Sequence, residues 1–169
     1  MWVESIQQSL PEHASDITDA LGILFDNTKI DEVDAHGCAL SAALVALNGD
    51  LAFEIQMDGP LMGRDERKLA KFAAIKATTD SVHNNFIYTS EDLIESNPAY
   101  FWNESLKVDD YMTSKSFIMY DLSAAIVARD PVGIRNNILA LKEQEVTDEQ
   151  ISYIAQVASI VSSINRVII

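Results

Sequence analysis

An all-α fold built on a duplicated helical unit is the architecture that this sequence predicts, and three observations carry it. Leu40-Ser41-Ala42-Ala43-Leu44-Val45-Ala46 recurs without a gap as Leu122-Ser123-Ala124-Ala125-Ile126-Val127-Ala128, 82 positions later. The same offset pairs Leu69 with Ile151, Phe72 with Ile154, Ala73 with Ala155 and Ile75 with Val157, so the match spans a supersecondary unit. Ala, Leu, Ile, Ser, Glu and Asp dominate, while Gly and Pro are few, at 6 and 4, a usage that favours helices over strands. A chain of 169 residues buries well over half of its unfolded surface in one core and is short for two ordinary domains. Residues 1–169 are therefore expected to form a single domain, with internal repeats at about 36–84 and 118–166.

The first helix is expected after Pro11, with Ile17, Leu21, Leu24 and Phe25 on one face. Its partner runs from about Asp31 to Leu47, where Val33, Leu40, Leu44 and Leu47 alternate with small residues that let neighbouring helices approach. Asn48-Gly49-Asp50 interrupts, and a short amphipathic piece with Leu51, Phe53, Ile55 and Met57 ends at the turn signal Asp58-Gly59-Pro60. A further helix spans Arg64 to about Thr79, and the segment from His83 to Tyr88 leaves it. Residues 90–113 read as short helices and connection between the lobes.

In the second lobe a helix covers Ser116 to Arg129, and Asp130-Pro131 restarts the chain as another. An Asp N-cap accepts a free backbone N–H, and Pro fits the first helical position, where its missing N–H costs nothing. Thr147-Asp148-Glu149-Gln150 is a capping box for the last helix, which carries Ile151, Ile154, Ala155, Val157, Ala158 and Val161.

A formal net charge of −14 leaves no excess of Lys or Arg to displace counterions from phosphates, which excludes nucleic acid and disfavours an anionic membrane surface. No run of 18 apolar residues and no basic-then-apolar leader occurs, so the expectation is a cytoplasmic chain without a spanning segment. The single cysteine, Cys38, can form neither an internal disulfide nor a CxxC pair. No metal-ligand spacing and no Gly-rich phosphate loop is present, so no metal or cofactor is expected. With 48% hydrophobic residues in so acidic a chain, broad apolar helix faces point to a homo-oligomer.

Several segments carry a likeness beyond periodicity: Leu10-Pro11-Glu12 with Asp16-Ile17, then Arg67-Lys68-Leu69-Ala70 leading to Asn84-Asn85-Phe86-Ile87-Tyr88. Ser123-Ala124, Thr147-Asp148-Glu149-Gln150-Ile151 and Ala158-Ser159-Ile160-Val161-Ser162 complete the series. Together with the repeat, over about residues 5–165, the chain resembles the alkyl hydroperoxidase D branch of the carboxymuconolactone decarboxylase family. That resemblance implies an all-helical fold assembled as a trimer or larger oligomer. It also implies an antioxidant disulfide reductase that recycles a peroxiredoxin partner with the help of a lipoyl-bearing protein.

The catalytic pattern that the resemblance implies is a Glu, a Cys-x-x-Cys at a helix start and a His four residues on. A thiol at a helix N-terminus ionises readily, and the acid and His move its proton. In this sequence those positions hold Ile118, Asp130, Gly133 and Asn137. A carboxylate and a glycine cannot form a mixed disulfide, so thiol-dependent peroxide reduction is not expected at this site.

Cys38 corresponds under the repeat to Tyr120, within a helix rather than at its start. Near Asp34 and His36 it reads either as a residual peroxidatic thiol or as a small buried apolar residue. His83, followed by Asn84 and Asn85, reads as a pocket-lining proton acceptor or as a helix-end group that satisfies the last carbonyls. His36, the first-lobe counterpart of Ile118, reads as a partly exposed helix histidine. Asp121 and Asp130 with Arg129 and Arg135 form a dense charged group, explicable as an N-cap with a local ion pair.

Three functions follow as expectations. One is a binding or scaffold protein that keeps the helical body without thiol catalysis. Another is an enzyme using acid–base chemistry, with Asp130, Asn137 and His83 as its candidate catalytic residues and Cys38 as the thiol alternative. The third is a small-ligand binder with a cavity lined by residues such as Phe86, Phe101, Trp102 and Phe117, which at helical spacing also read as plain core.

Overall fold

The computed structural model describes residues 2–57, 62–89 and 113–167, and all regular structure within them is helical. Helix α1 covers Trp2–Ser9, a 3-10 turn Glu12–Ala14 leads into α2 at Ser15–Asp26, and α3 (Glu32–Val45), α4 (Gly49–Met57) and α5 (Arg64–Thr89) follow. After residue 112 come α6 (Lys115–Ala128), α7 (Pro131–Glu143) and α8 (Asp148–Val167). The turn at Asp58-Gly59-Pro60 and the stretch 90–112 lie outside the described residues, as do Phe101, Trp102 and the side chain of Phe86.

Helices α3 and α6 form the centre. Every residue from Ala35 to Ala43 is buried in α3, and every residue from Phe117 to Ala125 is buried in α6. A helix buried on all sides has no polar stripe, and the Ala, Gly and Ser content of these two windows allows close packing. Gly37 is the closest point: a Cβ there would overlap the ring of Tyr120. Around the central pair, α5, α7 and α8 pack against α6, and α4, α5 and α8 pack against α3.

Two buried hydroxyls fasten the centre. Ser41 Oγ on α3 donates to the Tyr120 carbonyl on α6 at 2.9 Å, and Ser123 Oγ on α6 donates to the Cys38 carbonyl on α3 at 2.9 Å. Tyr120 also donates its hydroxyl to Asp34 Oδ1 at 3.0 Å. Tyr153 reaches from α8 to the Leu24 carbonyl at the end of α2, also at 3.0 Å.

The helix ends follow their local chemistry. Asp31 caps α3 by accepting from Val33 N, and Ser114 caps α6 by accepting from Phe117 N. Thr147 and Gln150 close the expected capping box reciprocally, at 3.0 and 3.2 Å.

Four expectations are corrected. An additional helix, α1, precedes Pro11 and buries Trp2, Val3 and Ile6. Helix α5 does not end near Thr79 but runs through His83, Asn84 and Asn85 to Thr89, because Ser81 donates to the Ala128 carbonyl and Asn84 to Asp130, so tertiary bonds outweigh the breaker composition. Leu47 is 91% exposed at positive φ beyond the end of α3, and Ile75 is 56% exposed; neither belongs to the core. His36 is buried rather than partly exposed, with Nδ1 2.7 Å from the Glu32 carbonyl and its ring edge-on to Trp2 and Phe25.

Candidate functional site

Two polar centres lie where α5, α6 and α7 meet. The first is built on Asp130, between α6 and α7. Arg129 adopts a left-handed conformation, φ 58°, which closes α6 and turns the chain, and Asp130 then opens α7 as its N-cap, accepting from Val132 N at 3.2 Å. Asn84 of α5 donates to both carboxylate oxygens, at 3.0 and 3.1 Å.

Gly133 completes this arrangement. A Cβ at that position would stand 2.5 Å from Asp130 Oδ2, so the absence of a side chain at 133 leaves the space into which the carboxylate folds. With Asp130 only 1% exposed and committed to a cap and an amide, the expectation of an acid–base role for this residue is not supported. Such a role requires a carboxyl facing reactants, whereas this one faces backbone and Asn84. His83 is half-buried on α5 beside Asn84, within the helix rather than at its end.

The second centre is built on Asp121, on α6. Lys76 Nζ of α5 donates to Asp121 Oδ2 at 2.8 Å and to Asp80 Oδ2, one helical turn on, at 2.7 Å. Asn137 Nδ2 of α7 donates to the same Asp121 Oδ2 at 3.1 Å. Three helices therefore converge on one carboxylate oxygen. The other, Oδ1, is buried and has no hydrogen-bond partner among the described residues.

Burial pushes the Asp121 carboxyl above its usual value, opposed by the charge and hydrogen bond of Lys76 and by the bond from Asn137. For Lys76, burial acts downward but is outweighed by Asp121 and Asp80, so the ammonium is held above the ordinary lysine value. The expected charged group of Asp121 and Asp130 with Arg129 and Arg135 is not what forms: each carboxylate takes its side-chain partners from α5 or α7 instead.

This second centre borders a pocket of about 370 Å³, whose lining includes the apolar Phe117, Ile118 and Ala140 and the polar Lys76, Asp121, Asn137 and Glu143. Phe117 thus does line a cavity, and Asn137 is the one candidate catalytic residue from the sequence that reaches it. Asp130, His83 and Cys38 are not among its walls. The pairing of Lys76 with Asp121, 45 positions apart, escaped sequence reasoning, which placed Asp121 in a charged group with Asp130 and the arginines; the one available signal was an Asp inside a run otherwise made of apolar and small residues.

Cys38 is fully buried in α3, and its thiol is pushed well above the usual cysteine value, first by burial and then by the charge of Asp34. A buried, protonated thiol is a poor nucleophile, so a peroxidatic role for Cys38 finds no support in the geometry. Among the described residues no group of His, Cys, Asp and Glu has the arrangement of a metal site, and no helix is long and apolar enough to cross a membrane. Compared with models of protein families and with curated proteins, the chain matches none.

Proposed function

We propose that this chain is a duplicated, alkyl hydroperoxidase D-like helical protein that has no thiol chemistry and acts by binding, as a homo-oligomeric scaffold and docking partner of a peroxiredoxin. The single observation that carries the proposal is Asp130. At the position where the resemblance expects the first cysteine, a carboxylate caps α7 and accepts from Asn84, and Gly133, at the second, gives it room.

The duplication is supported by register. The buried windows Ala35–Ala43 and Phe117–Ala125 are themselves 82 positions apart. The hydroxyl exchange obeys the same offset, since Ser41 corresponds to Ser123 and Cys38 to Tyr120. The test is a peroxide-reduction assay driven by a lipoyl or thioredoxin-type donor, with a CxxC-bearing relative as positive control. No turnover by the purified chain is expected; turnover that disappears in Cys38→Ser would refute the proposal.

An acid–base enzyme is the second reading, and one observation favours it in altered form. Asn137 joins Lys76 and Asp121 at a pocket, where the carboxyl is raised by burial, whereas Asp130 is consumed by capping. Such a site would be inactivated by Asp121→Asn and left active by Asp130→Asn.

A further inference from the structure

The basic residues of this acidic chain are unevenly placed. Four of its 12 Lys and Arg fall between positions 64 and 71, as Arg64, Arg67, Lys68 and Lys71, in the first two turns of α5. Positions i, i+3, i+4 and i+7 share one face of a helix, and the rise from the first to the last is about 10 Å. All four line one cleft of about 440 Å³, together with Gln56 of α4.

The neighbouring acids do not cancel this face. Neither Asp65 nor Glu66 is among the lining residues, and Glu66 turns its carboxylate back toward Gly63. Arg64, Lys68 and Lys71 are exposed and enter no ion pair among the described residues. Residues 58–61, which join α4 to α5, contain one acid, Asp58, so the surplus is positive whatever that carboxylate meets. The other acids of the chain oppose an approaching anion at long range, but at physiological salt a charge is screened beyond about 8 Å. Four cations within ~10 Å of one another therefore govern the cleft, whose walls focus their field.

The arginines decide which anion fits. Nε of Arg67 donates to the Gly63 carbonyl at 3.2 Å, which tethers the guanidinium and leaves its terminal nitrogens without a partner among the described residues. A planar guanidinium pairs with a phosphate through two parallel hydrogen bonds, and Lys68 and Lys71 add point charges further along the stripe. A single phosphate reaches one or two of these heads, whereas a chain of phosphates reaches all four. The volume is that of a small-molecule site, and the lining residues are all polar, so nothing in the cleft calls for a hydrocarbon part.

We propose that this cleft binds a small oligophosphate, whose linked phosphates lie along α5 from Arg64 to Lys71. The site shares no residue with the Asp121 and Asp130 centres, and it adds a ligand to the chain that the thiol-silent scaffold reading does not supply.

Sodium tripolyphosphate titrated into the full-length chain without added metal ions, followed by calorimetry, tests this. Binding to one site per chain is expected, with an affinity that falls as salt rises. Arg67→Gln combined with Lys71→Gln should weaken it at least tenfold. Lys68→Gln combined with Lys71→Gln alters only exposed side chains and should weaken it comparably, which keeps the test decisive if the first pair does not fold. Arg67→Lys keeps the charge, loses the fork and should weaken binding a few-fold. Lys29→Gln, in an exposed ion pair with Glu149, should leave it unchanged. No saturable binding by the folded wild type, an equal affinity for tetraglutamate, wild-type affinity in the folded double variants, or an equal loss in Lys29→Gln would overturn the proposal.

Discussion

Ser41 and Ser123 each donate a buried hydrogen bond to a main-chain carbonyl of the other's helix, at 2.9 Å in both directions. The two contacts are reciprocal, and they lie where α3 and α6 are buried on every side. Each hydroxyl is inaccessible to water, so its loss is felt as the net value of one hydrogen bond.

Replacing either serine with alanine is expected to destabilise the fold by ~1 kcal/mol, since the carbonyl acceptors lie within helices and the lost group is small. The double variant should lose about twice as much if the two bonds act independently. Urea unfolding of the four proteins checks this, and an unchanged midpoint in both single variants would show that the exchange contributes nothing.

Gly133→Ala places a Cβ 2.5 Å from Asp130 Oδ2, and a destabilisation of about 1–3 kcal/mol is expected from the crowding. Asp130→Ala alone removes the N-cap and the acceptor for Asn84, with an expected loss of about 2 kcal/mol. In combination the crowding has no target, so the double variant should be clearly more stable than the sum of the two losses. A double-mutant cycle by chemical denaturation measures the coupling; strict additivity would separate Gly133 from the cap.

Lys76→Met leaves Asp121 buried without its cation, and a loss of roughly 2–4 kcal/mol is expected near neutral pH. The sign follows from the raised carboxyl: a folded-state value above the unfolded one means that stability is lost as pH rises through it. Without Lys76 the value rises further, so the variant should approach wild type as pH falls toward about 4 and diverge as pH rises. Lys76 itself is raised, so its contribution is full below the ordinary lysine value and disappears as pH climbs through the folded one. Unfolding free energies of the two proteins across this range test both signs; a gap independent of pH would rule out the ionisation of Asp121 as its cause.

Cys38 is expected to resist alkylation in the native protein even at alkaline pH, because burial and Asp34 both hold its thiol protonated. Iodoacetamide labelling should become rapid only on unfolding, with a denaturant dependence that tracks loss of helicity. Rapid native labelling would return Cys38 to the set of reactive groups.

Much of this fold was legible in local chemistry. Asp130-Pro131 and Thr147 with Gln150 are helix starts because their side chains meet their own backbone within three positions. Helices α3 and α6 were legible because one run of apolar and small residues recurs in both, although their burial on every side was not. What could not be read depends on distant partners. Trp2 and Phe25 enclose His36 only once α1 is present, so the overlooked helix and the misjudged histidine share one cause. Asn84 looked like a terminator because amides compete with helical backbone, yet its donors are spent on Asp130. The Asp121 centre draws single residues from three helices, and no spacing along the chain announces that convergence.

The close approach at Gly37 reaches further than one contact. The Tyr120 ring of α6 lies where a Cβ at Gly37 of α3 would stand, and the residue after Tyr120 on the same helix is Asp121. A methyl added at position 37 would have to push α6 outward or turn it, and dense interiors pass such displacement on rather than absorb it. Gly37 thus acts as a gauge block: with no side chain of its own, and with no place among the pocket's lining residues, it leaves the room that lets the helix carrying Asp121 pack as it does.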